Sequence, residues 1–353
     1  MRRHDIDTIR SSALMLLIIY HASCSFMRWG NSIGFITNKE FLNIYAPMGF
    51  MNIWRIPILF VVSGMAFRFA YERRTIKELL KDRFVRIIIP YVFGIFTFGS
   101  IPIGIYTYYT EGKFIWFPNP SHLWFLNNIW VYSLATIIVL KIFSYFSIEI
   151  PNILARLLHY RLGICAFVLP FVIEAHIFRY NIYSLYVFSL HGWILGLICF
   201  ATGYIWICNR KLFFASVNNN AFIFLSIATI MYANRLQNEW VTANTLTSIE
   251  SFCWIVGIFG IAAKYLNKDS NWLKYVKEAV FPVYIFHLPI QQAVAYFLFP
   301  LPIDAIYKLL LLIIVISLVS ILFFELLKRI ALVRPLIGLK PMKNKSPSLQ
   351  TQV

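Results

Sequence analysis

The chain has 353 residues, of which 59% are hydrophobic and 13% charged, with a mean hydropathy of +0.69 and a net charge of +17. A soluble domain carries roughly 25% charged and about 45–50% apolar residues, so this chain lacks the polar surface to cover a water-soluble globule and belongs in a bilayer. The same figures exclude a disordered chain, a collagen-like fibre and a disulfide scaffold. The five cysteines (Cys24, Cys165, Cys199, Cys208, Cys253) are scattered without a C-x-x-C pair, and are read as small apolar residues.

A spanning helix needs about 20 mostly apolar residues. That rule predicts spans near 10–28, 46–67, 87–108, 122–141, 161–178, 184–207, 217–234, 247–264, 279–300 and 304–327. The expected fold class is all-α: a polytopic membrane protein of about ten transmembrane helices with both termini cytoplasmic. Residues 1–339 form a single transmembrane domain, and 340–353, rich in Lys, Ser, Pro and Gln, form a disordered cytoplasmic tail.

In chain order, each polar residue inside a span is a functional candidate, because burying one is costly. The first span carries Arg10 and His21, 11 residues apart. That is about three helical turns, which sets both on one stripe and roughly 16 Å apart along the axis. The basic start, the apolar run and His21-Ala22-Ser23-Cys24 imitate a secretory signal, but the histidine and the many later spans favour a retained first span.

The second span contains RIPILFVVSG (55–64), with Arg55 in its outer half and Ser63-Gly64 suited to close helix packing. The loop that follows ends DRFVRIIIP, where Arg83 and Arg86, three apart on one helix face, suit a bidentate phosphate site as well as they suit topology. The fourth span opens with SHLWFL, setting His122 and Trp124 at the outer boundary; an interfacial aromatic belt accounts for Trp124 but not for His122. Glu174, near the outer end of the fifth span, is a possible counter-ion for Arg55. The ninth span carries VFPVYIFHLPI, with His287 about 12 Å deep, near the level of His21, and equally placed to be a helix-kink partner beside Pro289.

The cations follow these spans. With the N-terminus inside, 25 of the 32 Lys and Arg fall in inner segments and six in outer ones, with Arg55 in a span. This is the positive-inside pattern, and it removes the need for nucleic acid to explain the charge. The seven histidines show no H-x-x-x-H or Cys/His ligand spacing, so no metal is expected.

Six segments taken together, IDTIR with His21 in an Arg-x10-His arrangement, RIPILFVVSG, RFVRIIIP, SHLWFL, FPVYIFHLP and FFELLKRIALVRPLIGLKP, resemble the membrane-bound acyltransferase 3 superfamily. The resemblance covers nearly the whole chain and is nearest to the glucan biosynthesis protein C branch. It implies a multi-pass protein of the bacterial cytoplasmic (inner) membrane that moves an acyl group from cytoplasmic acyl-coenzyme A (acyl-CoA) to a glycan hydroxyl on the far side. His21 matches the catalytic histidine, and Arg10, Arg83 and Arg86 match the arginines that hold the coenzyme's phosphates. The branch suggests succinyl transfer to a periplasmic glucan, although no named residue separates succinyl from acetyl.

The chemistry fits the topology. The anionic coenzyme stays on the basic side, and its long pantetheine arm carries the thioester to the depth of His21. There a neutral imidazole acts as general base on the sugar hydroxyl. His287 orients His21 or bonds the thioester oxygen, and the acceptor enters past Arg55, His122 and Glu174. Acyl-CoA is a co-substrate, and no permanently bound cofactor is expected. Direct transfer and an acyl-imidazole intermediate both remain open. A proton-coupled transporter of a small anionic or sugar solute is the rival reading, although the paired broken helices of two related halves are not visible.

Overall fold

The computed structural model describes residues 3–342, so the expected tail lies outside the described residues from 343 onward; Lys340, Pro341 and Met342 at its start have no regular structure. Every regular element among the described residues is helical, as a bilayer requires of a chain that must satisfy its own backbone hydrogen bonds. In order they are α1 (His4–Cys24), α2 (Tyr45–Tyr71), α3 (Ile76–Arg83), α4 (Ile89–Phe96), α5 (Ser100–Glu111), α6 (Trp124–Tyr145) and α7 (Ile150–Arg156). After these come α8 (Leu169–Phe178), α9 (Leu190–Cys208), α10 (Arg210–Gln237), α11 (Asn244–Tyr265), α12 (Asn271–Leu298) and α13 (Ala305–Leu327).

Seven helical stretches are long and apolar enough to cross a membrane: Leu42–Tyr71, Ile76–Glu111, Ser121–Tyr145, Leu190–Cys208, Arg210–Gln237, Asn244–Tyr265 and Ala305–Leu327. They coincide with seven of the ten expected spans. The other three also fall on helix. α1 starts with Asp5, Asp7 and Arg10, α12 starts with Lys274, Lys277 and Glu278, and Gly163–Phe178 is a shorter apolar helix.

The third expected span is not one continuous helix. Thr75 and Glu78 close a reciprocal capping box that starts α3. A π-helical turn, Phe84–Ile88, then joins α3 to α4, directly ahead of Pro90. A proline ring collides with the carbonyl four residues back in a regular helix, here that of Arg86, and a wider turn relieves the collision. The chain breaks again between α4 and α5, where Thr97 and Ser100 hydroxyls take the carbonyls of Phe93 and Ile95 at 2.8 and 2.6 Å.

α1 lies against α2, α11, α12 and α13. α2 packs along α9 at very short range, because a Cβ on Gly64 would collide with the Phe200 carbonyl and one on Gly203 with that of Val61. Small-residue packing is thus the role of Gly64. Asp7 of α1 and Arg334 beyond α13 line one cavity, so the described chain starts and ends at the same end of the bundle. Of the cysteines, Cys24, Cys199 and Cys253 are buried, Cys208 is half-buried, and Cys165 is exposed, contrary to the expectation that all would be interior.

Candidate active site

The end of the bundle that holds the start of α1 contains a cavity of about 670 Å³. Arg10, Arg83 and Arg86 all line it, together with Arg74, Arg334, Lys274, Lys277 and Lys340, against the acids Asp7, Asp82 and Glu278. The eight cations outnumber the three acids, so the cavity is a cation-rich bowl. Asp82 ties down Arg74 at 2.8 Å and Arg86 at 3.3 Å, and Asp7 lies 4.0 Å from Arg10 and 3.7 Å from Lys277. Arg83 has no ion pair within 4 Å among the described residues; its guanidinium stands 5.2 Å from the centre of the Phe67 ring. The π turn begins between Arg83 and Arg86 and changes the spacing expected of two residues on one α-helical face, yet both still face the cavity. Sequence reading missed the contribution of Arg74, Arg334, Lys274, Lys277 and Lys340, because a positive-inside charge looks the same whether it lines a cavity or merely sets orientation.

Leu14, Leu59, Ser63, Leu126 and Tyr284 also line the cavity. Ser63 lines it, with its hydroxyl bonded to the Leu59 carbonyl at 2.7 Å. Tyr284 lies three residues, or about 4.5 Å along α12, from His287. His287 is fully buried, and its Nε2 is 2.7 Å from Nδ1 of His21, the two rings lying nearly parallel at 5.0 Å. The equal depth expected for the two histidines is therefore a direct contact.

The hydrogen-bond chemistry of this contact fixes the protons. Nδ1 of His287 lies 2.8 Å from the Tyr284 carbonyl oxygen, which only accepts, so Nδ1 carries the hydrogen. In the neutral ring Nε2 is then the acceptor, and His21 donates to it from Nδ1. The remaining nitrogen of His21, Nε2, keeps its lone pair and has no hydrogen-bond partner among the described residues. A backbone carbonyl of α12 thus sets the tautomer of a histidine on α1 through an intervening ring.

His122, expected at an outer boundary, is buried within the bundle against the histidine pair. It is 7% exposed, its ring meets that of His287 edge to face at 5.1 Å, and its Nε2 donates to the Ile285 carbonyl at 2.8 Å. That carbonyl is free because Pro289, four residues on, has no N–H. The kink partner of Pro289 is therefore His122, not His287. Nδ1 of His122 is buried with no partner. Trp124 is likewise buried, against Phe60 and Phe125, and is not part of an interfacial belt.

One further expectation is corrected. Glu174 does not pair with Arg55: its Oε1 is 2.7 Å from Nδ1 of His191, whose Nε2 is 2.7 Å from the Tyr183 carbonyl. Tyr180, Tyr183 and Tyr186 enclose this pair. His191 went unnoticed in the sequence, although Glu174 and His191 lie in neighbouring spans and an isolated acid and base there invite pairing. Arg55 is fully buried on α2 with its guanidinium 4.0 Å from the centre of the Tyr20 ring.

On the side away from the cavity, the loop between α1 and α2 folds back over the histidines. Phe35 approaches the His21 ring at 5.7 Å, and Gln291 donates to the His21 carbonyl at 2.6 Å. Gln292 accepts from Ile36 at 3.1 Å and donates to the Gly34 carbonyl at 2.6 Å. Gly34 has φ of +83°, a conformation open to glycine, which turns the loop there. The signal for both residues was legible: two consecutive amides inside an apolar helix.

A family model described as an acyltransferase domain matches residues 3–325. No curated protein and no solved structure matches the chain. That match covers most of the chain, so the chain belongs to the acyltransferase 3 family, a family of membrane acyltransferases.

Proposed function

We propose that the protein is a transmembrane O-acyltransferase that carries an acyl group from cytoplasmic acyl-CoA to a glycan hydroxyl on the opposite side of the bacterial inner membrane. The observation that carries this reading is the relay from the Tyr284 carbonyl through His287 to His21, which leaves Nε2 of His21 as a free base. It lies inward of a bowl lined by Arg10, Arg83 and Arg86.

The coenzyme's phosphates are held by the bowl, with Arg83 and Arg86 as forked donors and Arg10 beside them. The pantetheine arm passes Ser63 and Tyr284 towards the histidines. Nε2 of His21 accepts the proton of the incoming sugar hydroxyl, whose oxygen attacks the thioester carbon. The carbon–sulfur bond breaks, and His21 returns the proton to the departing thiolate, so acyl ester and free thiol are the only products. His287 positions His21 and shares the charge that forms on it. His122, with its unpartnered Nδ1 in the same layer, lines the path of the acceptor, and the loop carrying Phe35 covers that path. The even number of spans expected from the sequence, the bias of the cations towards the segments on one side of them and the return of the chain to its starting end all support cytoplasmic termini. A periplasmic glucan is the acceptor that the sequence resemblance favours.

The test is vectorial. The protein is reconstituted in liposomes, with acyl-labelled coenzyme on the basic side and glucan oligosaccharide on the other. Label should become ester-linked to the glucan as free thiol appears on the donor side. Label crossing without thioester cleavage would identify a transporter, and thioester cleavage with no label on glucan would refute the proposed acceptor.

A further inference from the structure

Arg55 is an arginine without a counter-charge in the interior of a membrane protein. It is fully buried, and no carboxylate lies within ion-pair distance of it among the described residues. The acid that the sequence offered it, Glu174, is held by His191. Its Nη1 donates to the Leu16 carbonyl at 3.4 Å, while Nε and Nη2 are buried with no hydrogen-bond partner. Those two nitrogens form one edge of the guanidinium, the edge whose parallel N–H groups match the two oxygens of a carboxylate. A single oxyanion oxygen would satisfy only part of it. A buried cation with that edge empty is stable only against the cost of its own desolvation, which a ligand carrying the matching anion offsets.

The surroundings say where such an anion comes from. Arg55, Leu59 and Ser63 recur at every fourth residue, so they form one stripe of α2. Leu59 and Ser63 line the cation-rich cavity, and Arg55 continues the stripe one turn, about 6 Å, further inward. Tyr20 joins this point to the reaction centre, its ring 4.0 Å from the guanidinium carbon and 5.7 Å from the ring of His21. One aromatic ring, that of Tyr20, thus stands between the guanidinium and His21, a separation of the order that a short acyl chain spans.

We propose that Arg55 is a specificity-determining residue that grips the free carboxylate at the far end of a dicarboxylic acyl group carried by the donor thioester. The proposal rests on the acyl-transfer reading above and adds the residue that would recognise the acyl group's far end. The carboxylate is a spectator in the reaction. The hydroxyl oxygen still bonds to the thioester carbon, sulfur still leaves with the proton relayed by His21, and the ester product keeps the carboxylate and its charge.

The experiment uses the full chain in liposomes with glucan oligosaccharide as acceptor, and reads release of coenzyme thiol. Succinyl-CoA is compared with butyryl-CoA, which has the same chain length and no charge. The wild-type protein should favour succinyl over butyryl at least tenfold in kcat/KM, the order expected for hydrogen bonds to a charged group. In Arg55→Met that ratio should fall at least tenfold, and in Arg55→Lys, which keeps the charge without the fork, it should lie between. Methionine keeps much of the unbranched aliphatic stem of arginine and removes the cost of burying its charge, so the variant is expected to fold. The wild-type ratio is decisive even if it does not. A wild-type protein that releases thiol from both donors without preference overturns the carboxylate clamp and leaves acyl transfer standing. An unchanged ratio in Arg55→Met also overturns the clamp, because the arginine then acts on what all donors share or on packing alone. Failure of the wild-type protein to release thiol from any donor overturns the acyl-transfer reading, and the clamp with it.

Discussion

The protein buries two histidine pairs. In the first, His21 and His287 meet nitrogen to nitrogen at 2.7 Å and the relay ends on an unoccupied lone pair of His21. In the second, His191 sits between Glu174 and the Tyr183 carbonyl, with both ring nitrogens at 2.7 Å from oxygen. A carbonyl and a carboxylate both accept, so His191 either carries two hydrogens or shares one with a protonated Glu174. Either way it has no lone pair to offer. The first pair is partly open and lies beyond a cation-rich cavity, whereas the second is closed by three tyrosine rings. The same residue type is therefore a base in one place and a strut in the other. The difference lies in what its second nitrogen touches.

The comparison breaks first at His21. His21→Ala should lower acyl transfer by about 10²–10⁴-fold, the usual range for a positioned general base, while the protein still inserts and purifies. Label transfer in liposomes measures this. Full activity would reduce His21 to a packing residue and erase the contrast with His191.

The next largest effect is expected at His287, which acts through His21. His287→Ala should cost about tenfold to a hundredfold, less than loss of the base itself. His287→Asn sharpens the point, because an amide oxygen can accept from Nδ1 of His21 and hold the same tautomer. Activity in the Asn variant well above that in the Ala variant would identify orientation as the role; equal losses would argue for volume alone.

The donor site should respond in a different constant. With Arg83→Lys and Arg86→Lys combined, charge and topology persist but the forks are lost. The apparent KM for acyl-CoA should rise at least tenfold, the loss of one hydrogen bond to a charged group being worth about 10- to 150-fold, and the KM for the glycan should barely move. An unmoved donor KM would mean that these arginines set orientation only.

The smallest effect on chemistry is expected at the second pair. Glu174→Ala leaves His191 without its partner, and breaking a buried pair costs about 3 kcal/mol, seen as a lower melting temperature. Activity per folded molecule should stay within about twofold, consistent with a stabilising role. A selective loss of glycan affinity at unchanged melting temperature would instead return Glu174 to the acceptor path.

Much of this protein is written along its chain. Membrane residence follows from composition, and spans follow from runs of apolar residues, because a bilayer imposes one length on every crossing. Helix pitch set Arg83 and Arg86 on one face and the side of the membrane set Arg10 at their level, but it was the family resemblance that joined the three into one site; the equal depth of His21 and His287 was legible from helix rise. The tertiary structure alone decided partners. Nothing in the order of residues says that His122 takes the carbonyl freed by Pro289 or that one edge of Arg55 is left without a partner, and neighbouring spans invite the pairing of Glu174 with His191 without choosing it over Arg55. Depth along a helix is a one-dimensional quantity fixed by rise per residue. Hydrogen bonding depends on distances of about 3 Å between atoms on different helices, and those distances exist only once the helices have packed.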